Sequence, residues 1–256
     1  MKKLISLLIR FVPRPLLQRL SGTGLKVAGW WLRGDGSECL ICSRQYRNFL
    51  PYGRLRAREN ALCPGCLSLE RHRLIWYYLK DQTDFFSGGK SVLHIAPENC
   101  FLKPFERLHG KGYITADLES PLATVRMDIM AMPFSEATFD IVLCSHVLEH
   151  VADDIVAMQE IHRVLKPGGW ALLQVPFFAP IPDQTIEDAS ITGNAAREKM
   201  FGQADHLRRY GKDFSQRISR SGLSVKEEDF AFKLSPEVCR RYGLVPETLF
   251  IGIRRD

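Results

Sequence analysis

Short apolar runs alternate with amphipathic stretches from residue 91 onward, and this alternation is the strongest structural signal in the chain. Apolar runs of roughly four to eight residues between turn residues are typical of buried strands. One amphipathic helix, Asp153–Leu165, stands among them and is ended by Lys166-Pro167-Gly168-Gly169. Strands that alternate with helices predict a parallel sheet with helices on both faces. The predicted strands are Ser91–Ala96, Gly112–Asp117, Ala123–Asp128, Phe139–Ser145, Trp170–Pro176, Leu223–Phe230 and Thr248–Arg254.

Residues 2–20 carry apolar side chains at helical spacing, with lysine and arginine between them. Pro13 and Pro15 divide this segment into two short predicted helices. A basic amphipathic segment of this kind either lies on an anionic membrane or packs on its own domain. Peripheral membrane contact through residues 2–20 therefore stays open.

The composition is that of a globular protein: of 256 residues, 45% are hydrophobic and 25% are charged. These fractions exclude a disordered or collagen-like chain. Residues 1–80 hold 15 Lys and Arg against 4 Asp and Glu, a net +11, and the remainder holds 20 against 25, a net −5. The basic front favours a polyanion or a membrane surface as its neighbour, or it is a solvated face without a partner.

No apolar run approaches the roughly 18 residues that a transmembrane helix needs. The start MKKLISLLIR is similar to a signal peptide, but Arg10 interrupts its apolar stretch and no small-residue cleavage site follows. We therefore expect no transmembrane segment and a cytoplasmic location.

Four of the seven cysteines form two pairs, Cys39-x2-Cys42 and Cys63-x2-Cys66, with 20 residues between the pairs. Two such turns can supply the four corners of a tetrahedral zinc site. Pro64-Gly65 suits a tight turn, because glycine tolerates positive φ. A disulfide framework would need an oxidising compartment, and redox CxxC motifs usually occur singly, so the spacing predicts structural zinc.

These patterns predict three regions. A basic amphipathic segment occupies residues 1–37, and a four-cysteine zinc module occupies residues 38–68. The α/β domain occupies residues 69–256, beginning with a helix over Leu69–Lys80. Within it, the long polar stretch at about 177–210 predicts a lid over the substrate, and Lys212–Arg220 predicts a helix after the lid.

Polar residues follow the predicted strands of the sheet, where ligands of open α/β folds bind. Asp117 ends the second strand and suits hydrogen bonding to ribose hydroxyls. Asp128 ends the third strand and could accept a hydrogen bond from an adenine amino group. Ser145-His146 end the fourth strand and would face the reacting centre.

The segment Met127–Pro176 resembles the second half of a class I S-adenosylmethionine-dependent methyltransferase, above all in PFSEATFDIVLCSHVLEH and EIHRVLKPGGWALLQVP. The segments Cys63–Arg73 and Phe201–Gly211 are similar to a subgroup with an N-terminal zinc-ribbon-like module. The resemblance implies a Rossmann-like seven-stranded sheet with its last strand antiparallel. It also implies S-adenosylmethionine as cofactor. The implied contacts are Asp117 and Leu118 on the ribose, Asp128 and Ile129 around the adenine, and Ser145 and His146 near the sulfonium.

The first loop departs from the family's acidic-x-Gly-x-Gly pattern, because it has the sequence His94-Ile95-Ala96-Pro97-Glu98. One interpretation is a degenerate, inactive site. The other is that the loop still binds the cofactor through His94, Ala96, Pro97 and Glu98, because Ala96 is small and Glu98 can pair with the cofactor's ammonium in place of the acid lost at His94.

Methyl transfer often needs a base, and three histidines are candidates: His146, His150 and His206. His206 lies in the predicted lid with Asp205, Arg208 and Tyr210, which either bind a polar acceptor or attach the lid to the domain. Residues 70–73 (Glu-Arg-His-Arg) likewise either line the acceptor site or hold the zinc module.

Three functions are compatible with the sequence. The first is O-methylation of a small molecule or glycan. The second is RNA methylation of the rRNA type, with Arg54, Arg56 and Arg58 on phosphates beside Tyr52. The third is an interaction protein without enzymatic activity, in which zinc stabilises the small module and the α/β fold has lost its cofactor.

Overall fold

The structure is a computed structural model that describes residues 29–53 and 57–255. The predicted amphipathic segment 2–20 lies outside these residues, as do Arg54 and Arg56. Across the ranges described, no helix combines the length and the apolar composition that crossing a bilayer requires.

Thirteen strands and six helices of at least seven residues are present in the described ranges. The strands are β1 (Arg33–Glu38), β2 (Gln45–Tyr46), β3 (Leu50–Tyr52), β4 (Arg58–Leu62), β5 (Val92–Ile95), β6 (Tyr113–Asp117), β7 (Val125–Arg126), β8 (Phe139–Ser145), β9 (Leu165–Gln174), β10 (Ile186–Glu187), β11 (Arg208–Arg209), β12 (Ser224–Glu228) and β13 (Leu249–Ile253). The helices are α1 (Glu70–Asp81), α2 (Asn99–His109), α3 (Asp154–Val164), α4 (Asn194–Phe201), α5 (Phe214–Arg220) and α6 (Pro236–Tyr242).

The chain divides into two compact units. The first runs to Asp84 and takes in Lys233–Pro246, and the second consists of Phe85–Phe232 with the chain from Glu247. This division differs from the sequence-based expectation, which placed residues 69–256 in a single domain. Arg73 on α1 supplies the physical reason, because it donates hydrogen bonds both within the cysteine module and to the end of α6, at Tyr242 and Gly243.

The first unit contains two small antiparallel hairpins, β1 with β2 and β3 with β4, each at one pair of cysteines. Helix α1 buries one face, which carries Leu74, Ile75, Tyr78 and Leu79. These positions recur at helical spacing, which explains why the sequence predicted this helix within one residue of its observed bounds.

The second unit contains a seven-stranded sheet in the order β12-β13-β9-β8-β5-β6-β7. The pairs from β9 to β7 are parallel, and β13 is antiparallel to both β9 and β12. This sheet, with helices α2, α3 and α5 in the same unit, confirms the predicted Rossmann-like fold. The order reverses between β5 and β8, which is the place where ligands of such sheets bind.

Burial along the central strands explains why they were visible in the sequence. All four residues of β5 are buried, and β8 is buried at six of its seven positions. Helix α3 buries Ala157, Met158, Ile161 and Val164 on one stripe, and the Asp153 side chain caps it by accepting the Val156 N–H. The chain then enters β9 directly at Leu165, so the predicted turn at residues 166–169 is part of the strand.

The predicted lid has structure of its own. Within residues 177–210, β10 pairs with β11 antiparallel and α4 lies between them. Helix α4 ends at Gly202, whose left-handed φ of 94° turns the chain toward His206. The stretch is therefore a small structured insertion. Whether it covers a substrate stays a prediction.

Candidate active site and metal centre

A cleft lies at the carboxyl ends of β5, β6 and β8, where the strand order reverses. Its cavity of about 230 Å³ includes six of the ten predicted cofactor residues: Ala96, Asp117, Leu118, Asp128, Ile129 and His146. It also includes five residues that the sequence had not assigned to cofactor binding: Ile95, Met127, Val147, His150 and Val151. The other four predicted residues, His94, Pro97, Glu98 and Ser145, do not line this cavity.

Two residues in this cleft have left-handed backbone without being glycine. Ala96, directly after β5, has φ 50°, and its N–H bonds the Ala116 carbonyl at 2.8 Å. His146, directly after β8, has φ 56°, and its N–H bonds the Gln174 carbonyl at 2.8 Å. Such strain collects at functional sites. At Ala96, alanine adopts the conformation for which a glycine is the usual residue.

Asp117 caps the turn that follows β6. Its Oδ1 accepts the N–H groups of Glu119 at 2.7 Å and Ser120 at 2.6 Å. Leu118, next to it, is 55% exposed, and both residues also line a second cavity of about 240 Å³. An acidic turn with an exposed apolar neighbour is consistent with the predicted ribose contact, which stays a prediction.

Asp128 and Ile129 form the opposite wall of the cleft. Asp128 Oδ1 accepts the Met130 N–H at 2.8 Å, which fixes the turn after β7. The Ile129 side chain is buried at the cavity wall. An apolar wall beside a carboxylate suits a flat heteroaromatic ring, and the predicted adenine contact stays a prediction.

His94 lies inside the sheet and is bonded at both ring nitrogens. Its Nε2 lies 2.6 Å from Glu98 Oε2, and its Nδ1 lies 2.6 Å from the Tyr113 hydroxyl. A carboxylate can only accept, so Nε2–H donates to Glu98. Burial raises the pKa of Tyr113, which keeps this hydroxyl protonated. His94 and Glu98 thus form a pair, a relation that the sequence-based interpretation of Glu98 did not include.

Buried polar atoms without hydrogen-bond partners gather beside the cleft. They are Ser145 Oγ at the end of β8, Gln174 Oε1 on the neighbouring strand, and both carboxylate oxygens of Glu149. Unpaired buried polar atoms are costly in a folded protein. Their presence at the sheet's reversal point is consistent with a polar ligand there.

The predicted bases surround Glu149, a residue that the sequence analysis missed. Glu149 is 1% exposed, and its Oε1 lies 3.2 Å from His146 Nδ1 and 3.9 Å from His150 Nε2. The His206 ring lies edge-on to His150 with centroids 4.9 Å apart. Burial lowers the pKa of His206 and favours its neutral form. The sequence signal that could have identified Glu149 is its position directly before His150 in HVLEH.

Arg208 and Tyr210, predicted as acceptor-binding or structural, are fully buried and structural. Arg208 donates to the carbonyls of Leu148, Val151 and Ala152, and so holds the turn that carries Glu149. The Tyr210 hydroxyl donates to Asp154 at 2.9 Å. Of the two interpretations of these residues, the structure supports attachment to the domain.

Four cysteine sulfurs in the first unit lie within 4.8 Å of one another. Cys39 Sγ is 3.5 Å from Cys66 Sγ, and Cys42 Sγ is 3.7 Å from Cys63 Sγ. Zinc–sulfur bonds of about 2.3 Å in a tetrahedron separate the sulfurs by about 3.8 Å, whereas a disulfide needs about 2.05 Å. Hydrogen bonding from Cys42, then from Cys63 and Cys66, lowers the pKa of Cys39. The donor set and its spacing fit zinc.

The two cysteine turns have the same backbone geometry. Ser43 N–H bonds the Cys39 carbonyl at 2.8 Å, and Leu67 N–H bonds the Cys63 carbonyl at 2.9 Å. Ser43 and Leu67, each four residues after the first cysteine of its pair, have φ of 55° and 63°. The expectation of a positive φ at Gly65 is therefore wrong. Gly65 is needed for space, because a Cβ there would collide with the Tyr46 hydroxyl.

Residues 70–73 hold the first unit together. Glu70 accepts from Arg58 at 2.8 Å, and His72 Nδ1 accepts the Leu69 N–H at 3.1 Å. Arg73 is fully buried and donates to four carbonyls of the same unit. These contacts support the module-holding interpretation of the segment.

Residues 101–173, from α2 into β9, match the family profile described as "Methyltransferase domain". They include β6, β7, β8 and most of β9, together with the cleft wall from Asp117 to Val151. These residues are a methyltransferase domain, and the sheet around them has the order of the class I S-adenosylmethionine-dependent fold. The family that the sequence resembled is thereby confirmed.

Curated relatives of this methyltransferase domain carry names from quinone biosynthesis. The demethylmenaquinone methyltransferase of Staphylococcus aureus (strain MRSA252) is 26% identical over an alignment of 144 residues, and the match covers 45% of this chain and 59% of that protein. A ubiquinone/menaquinone biosynthesis C-methyltransferase of Haemophilus ducreyi is 31% identical over an alignment of 147 residues, and the match covers 50% of this chain and 56% of that protein. The chain thus spans less than two thirds of their length.

A solved structure with the same fold is an S-adenosylmethionine dependent methyltransferase from Mesorhizobium loti. It has a TM-score of 0.51 and 16% sequence identity, and the match covers 70% of this chain and 97% of that one. At this identity the likeness shows the fold alone. S-Adenosylmethionine is the methyl donor of the family, and the cleft of the methyltransferase domain, which is lined by Asp117, Asp128 and apolar side chains, fits such a ligand.

Proposed function

We propose that the chain transfers a methyl group from S-adenosylmethionine to a small-molecule or glycan acceptor. The observation that carries this proposal is the cleft at the carboxyl ends of β5, β6 and β8, which brings Ala96, Asp117, Asp128 and His146 around one cavity. When bound, S-adenosylmethionine supplies an electrophilic methyl carbon. Asp117 would hold its ribose, and Ile129 would contact its adenine.

Cofactor binding is tested by calorimetry with S-adenosylmethionine and S-adenosylhomocysteine. Asp117→Asn keeps an oxygen that can accept the turn's N–H groups but removes the charge, so affinity should fall while the fold remains. Glu119→Gln, two residues further along the same turn, is the matched control and should bind like the wild type. No binding by the wild type would leave the cofactor-less interaction protein as the function.

We assign the acceptor atom to oxygen and the base to His146. The His146 side chain lines the cleft, and Glu149 lies behind it, 3.2 Å from Nδ1. A buried carboxylate in this position fixes the ring and stabilises the imidazolium that forms when the other ring nitrogen takes the acceptor's hydroxyl proton.

His146→Asn tests the base, because asparagine tolerates the left-handed backbone at this position. We expect kcat to fall by about 100-fold or more, in the range of general-base catalysis, with little change in cofactor affinity. His162→Gln, on α3, is the control. Unchanged turnover would remove His146 as the base and leave His150 and His206.

A second candidate is carbon methylation of a quinol-like ring, which the names of the relatives favour. The two outcomes separate when the methyl group carries ¹³C, because O-methyl and C-methyl carbons have well-separated chemical shifts. Acceptor libraries of phenols, quinols and glycans should be compared in the same assay.

RNA methylation has weaker support. Of the three arginines predicted on phosphates, the described one, Arg58, pairs with Glu70 at 2.8 Å. Transfer of a tritiated methyl group into RNA rather than into small molecules would select this function instead.

For the cysteine cluster we propose structural zinc held by Cys39, Cys42, Cys63 and Cys66. All four ligands come from the protein, so the ion would stabilise the first unit and would have no open position for chemistry. Reduced thiols are consistent with the cytoplasm.

Peripheral membrane contact remains a proposal for the front of the chain. Trp30 and Trp31 are 61% and 73% exposed. Tryptophan favours the membrane interface. Flotation with anionic and with zwitterionic vesicles tests this contact, and equal absence from both would contradict it.

A further inference from the structure

Three potential metal ligands meet beside the cofactor cleft of the methyltransferase domain. They are one carboxylate oxygen of Glu149 and one ring nitrogen each of His150 and His206, and all three atoms lie within 4.8 Å of one another. His150 lines the cleft cavity, so the cluster lies at its wall. A set of two histidines and one carboxylate with open positions is typical of divalent transition-metal sites.

Both histidines have the second hydrogen bond that metal-binding histidines usually make. His150 Nδ1 lies 3.1 Å from the Asp205 carbonyl oxygen, and His206 Nδ1 lies 3.2 Å from the Phe201 carbonyl oxygen. A carbonyl can only accept, so each Nδ1 carries the proton. Nε2 is then the ring nitrogen left to face a metal, and the backbone carbonyl fixes the orientation of each ring.

Glu149 supplies the independent observation. Its side chain is 1% exposed, and neither oxygen accepts a hydrogen bond in the described structure. His146 Nδ1, at 3.2 Å from Oε1, is its nearest ion-pair partner. A buried carboxylate with unused acceptor positions needs a cation. Oε1 is the oxygen nearest to both His146 and His150, and Oε2 has no hydrogen-bond partner in the described structure.

The frame around the cluster is rigid. The Leu207 N–H bonds the Glu149 carbonyl at 2.8 Å, which joins the strand after α4 to the turn that carries two of the ligands. Arg208 fixes three more carbonyls of that turn.

We propose that Glu149, His150 and His206 bind a divalent transition-metal ion at the wall of the cleft. With three protein ligands, the ion keeps open positions, which would take an oxygen of the acceptor and favour its ionised form. That second role rests on the proposed methyl transfer, whereas metal binding itself is measured without cofactor or acceptor.

The experiment adds Mn²⁺ to the zinc-loaded full chain and follows the electron paramagnetic resonance signal of free Mn²⁺. Thiolates are poor ligands for Mn²⁺, so the cysteine cluster does not compete. We expect one Mn²⁺ per chain, or a second equivalent of zinc by elemental analysis. Glu149→Gln and His206→Gln should weaken binding by more than the roughly 10–100-fold that outer-shell changes cost. His162→Gln, outside the cluster, should bind like the wild type.

His150→Gln keeps the test decisive if the buried variants fail to fold, because His150 is exposed. Circular dichroism checks the fold of each variant. Neither Mn²⁺ binding nor a second zinc equivalent in the wild type would overturn the proposal. Equal metal binding by folded Glu149→Gln would also overturn it, and Glu149 would then be the counter-ion of His146 alone. Neither result would bear on cofactor affinity.

Discussion

Replacing Arg73 by methionine tests how the first unit is held together. Arg73 is fully buried, and its guanidinium donates to the carbonyls of Ser68, Ala61, Tyr242 and Gly243 at 2.7–2.9 Å. It also stacks on Phe49, with its Cζ 4.3 Å from the ring centroid. Methionine fills a similar volume but leaves four carbonyls without a donor.

The magnitude follows from those four bonds. At about 1 kcal/mol for each bond, the loss is about 4 kcal/mol, with buried orphan carbonyls adding to it. Burial lowers the pKa of Arg73, which shows that the cation itself is costly to bury. Removing the charge returns part of this cost, so we expect Arg73→Met to destabilise the unit by about 2–4 kcal/mol.

Amide hydrogen exchange measured by mass spectrometry gives the opening of this unit separately, because its peptides are analysed one by one. A loss of 2 kcal/mol corresponds to about 30-fold more frequent opening, so peptides from residues 57–75 and 233–246 should exchange at least that much faster. Arg58→Met is the control, because Arg58 is 50% exposed and its ion pair with Glu70 should contribute less than about 1 kcal/mol. Equal exchange in the two variants would refute the role of Arg73.

Two further substitutions test the metal centre and the first loop. Cys63→Ser should remove zinc and loosen the first unit, because three thiolates bind zinc more weakly than four; an unchanged zinc content by elemental analysis would contradict the site. Ala96→Gly should change stability by less than about 1 kcal/mol, because relief of the left-handed backbone offsets the extra entropy of glycine. Ala96→Val should lower both the stability, measured by thermal unfolding, and the cofactor affinity, measured by calorimetry. Equal cofactor affinity of Ala96→Val and Ala96→Gly would mean that the cofactor does not approach this residue.

The regular elements of the methyltransferase domain were predictable because burial and local pattern agree there. Strand β8 has the bounds that its apolar run predicted, and α3 differs by one residue at each end. Helix α2 was missed because Pro104 lies inside it and interrupts the pattern. Helix α6 was missed as part of the first unit, since its contacts with Arg73 join residues about 170 positions apart.

The candidate site was predictable only where a residue's position along a strand determines its place. Ala96, Asp117, Asp128 and His146 follow strands, so the sheet order alone brings them together. Glu149 was missed because it lies in a turn whose shape depends on Arg208, far along the chain. The strained backbone at Ser43 and Leu67 was missed because nothing in either residue type favours a positive φ.

The position of residues 233–246 has a consequence for biosynthesis. The first unit needs this segment for two of the carbonyls that Arg73 binds, and the sheet needs β13, which follows it. A ribosome must therefore translate through residue 246 before the first unit can be completed and through β13 before the sheet can, although the cysteine turns emerge early. Expression of residues 1–84 alone should give a poorly folded peptide, and any division into separate pieces has to supply the segment in trans.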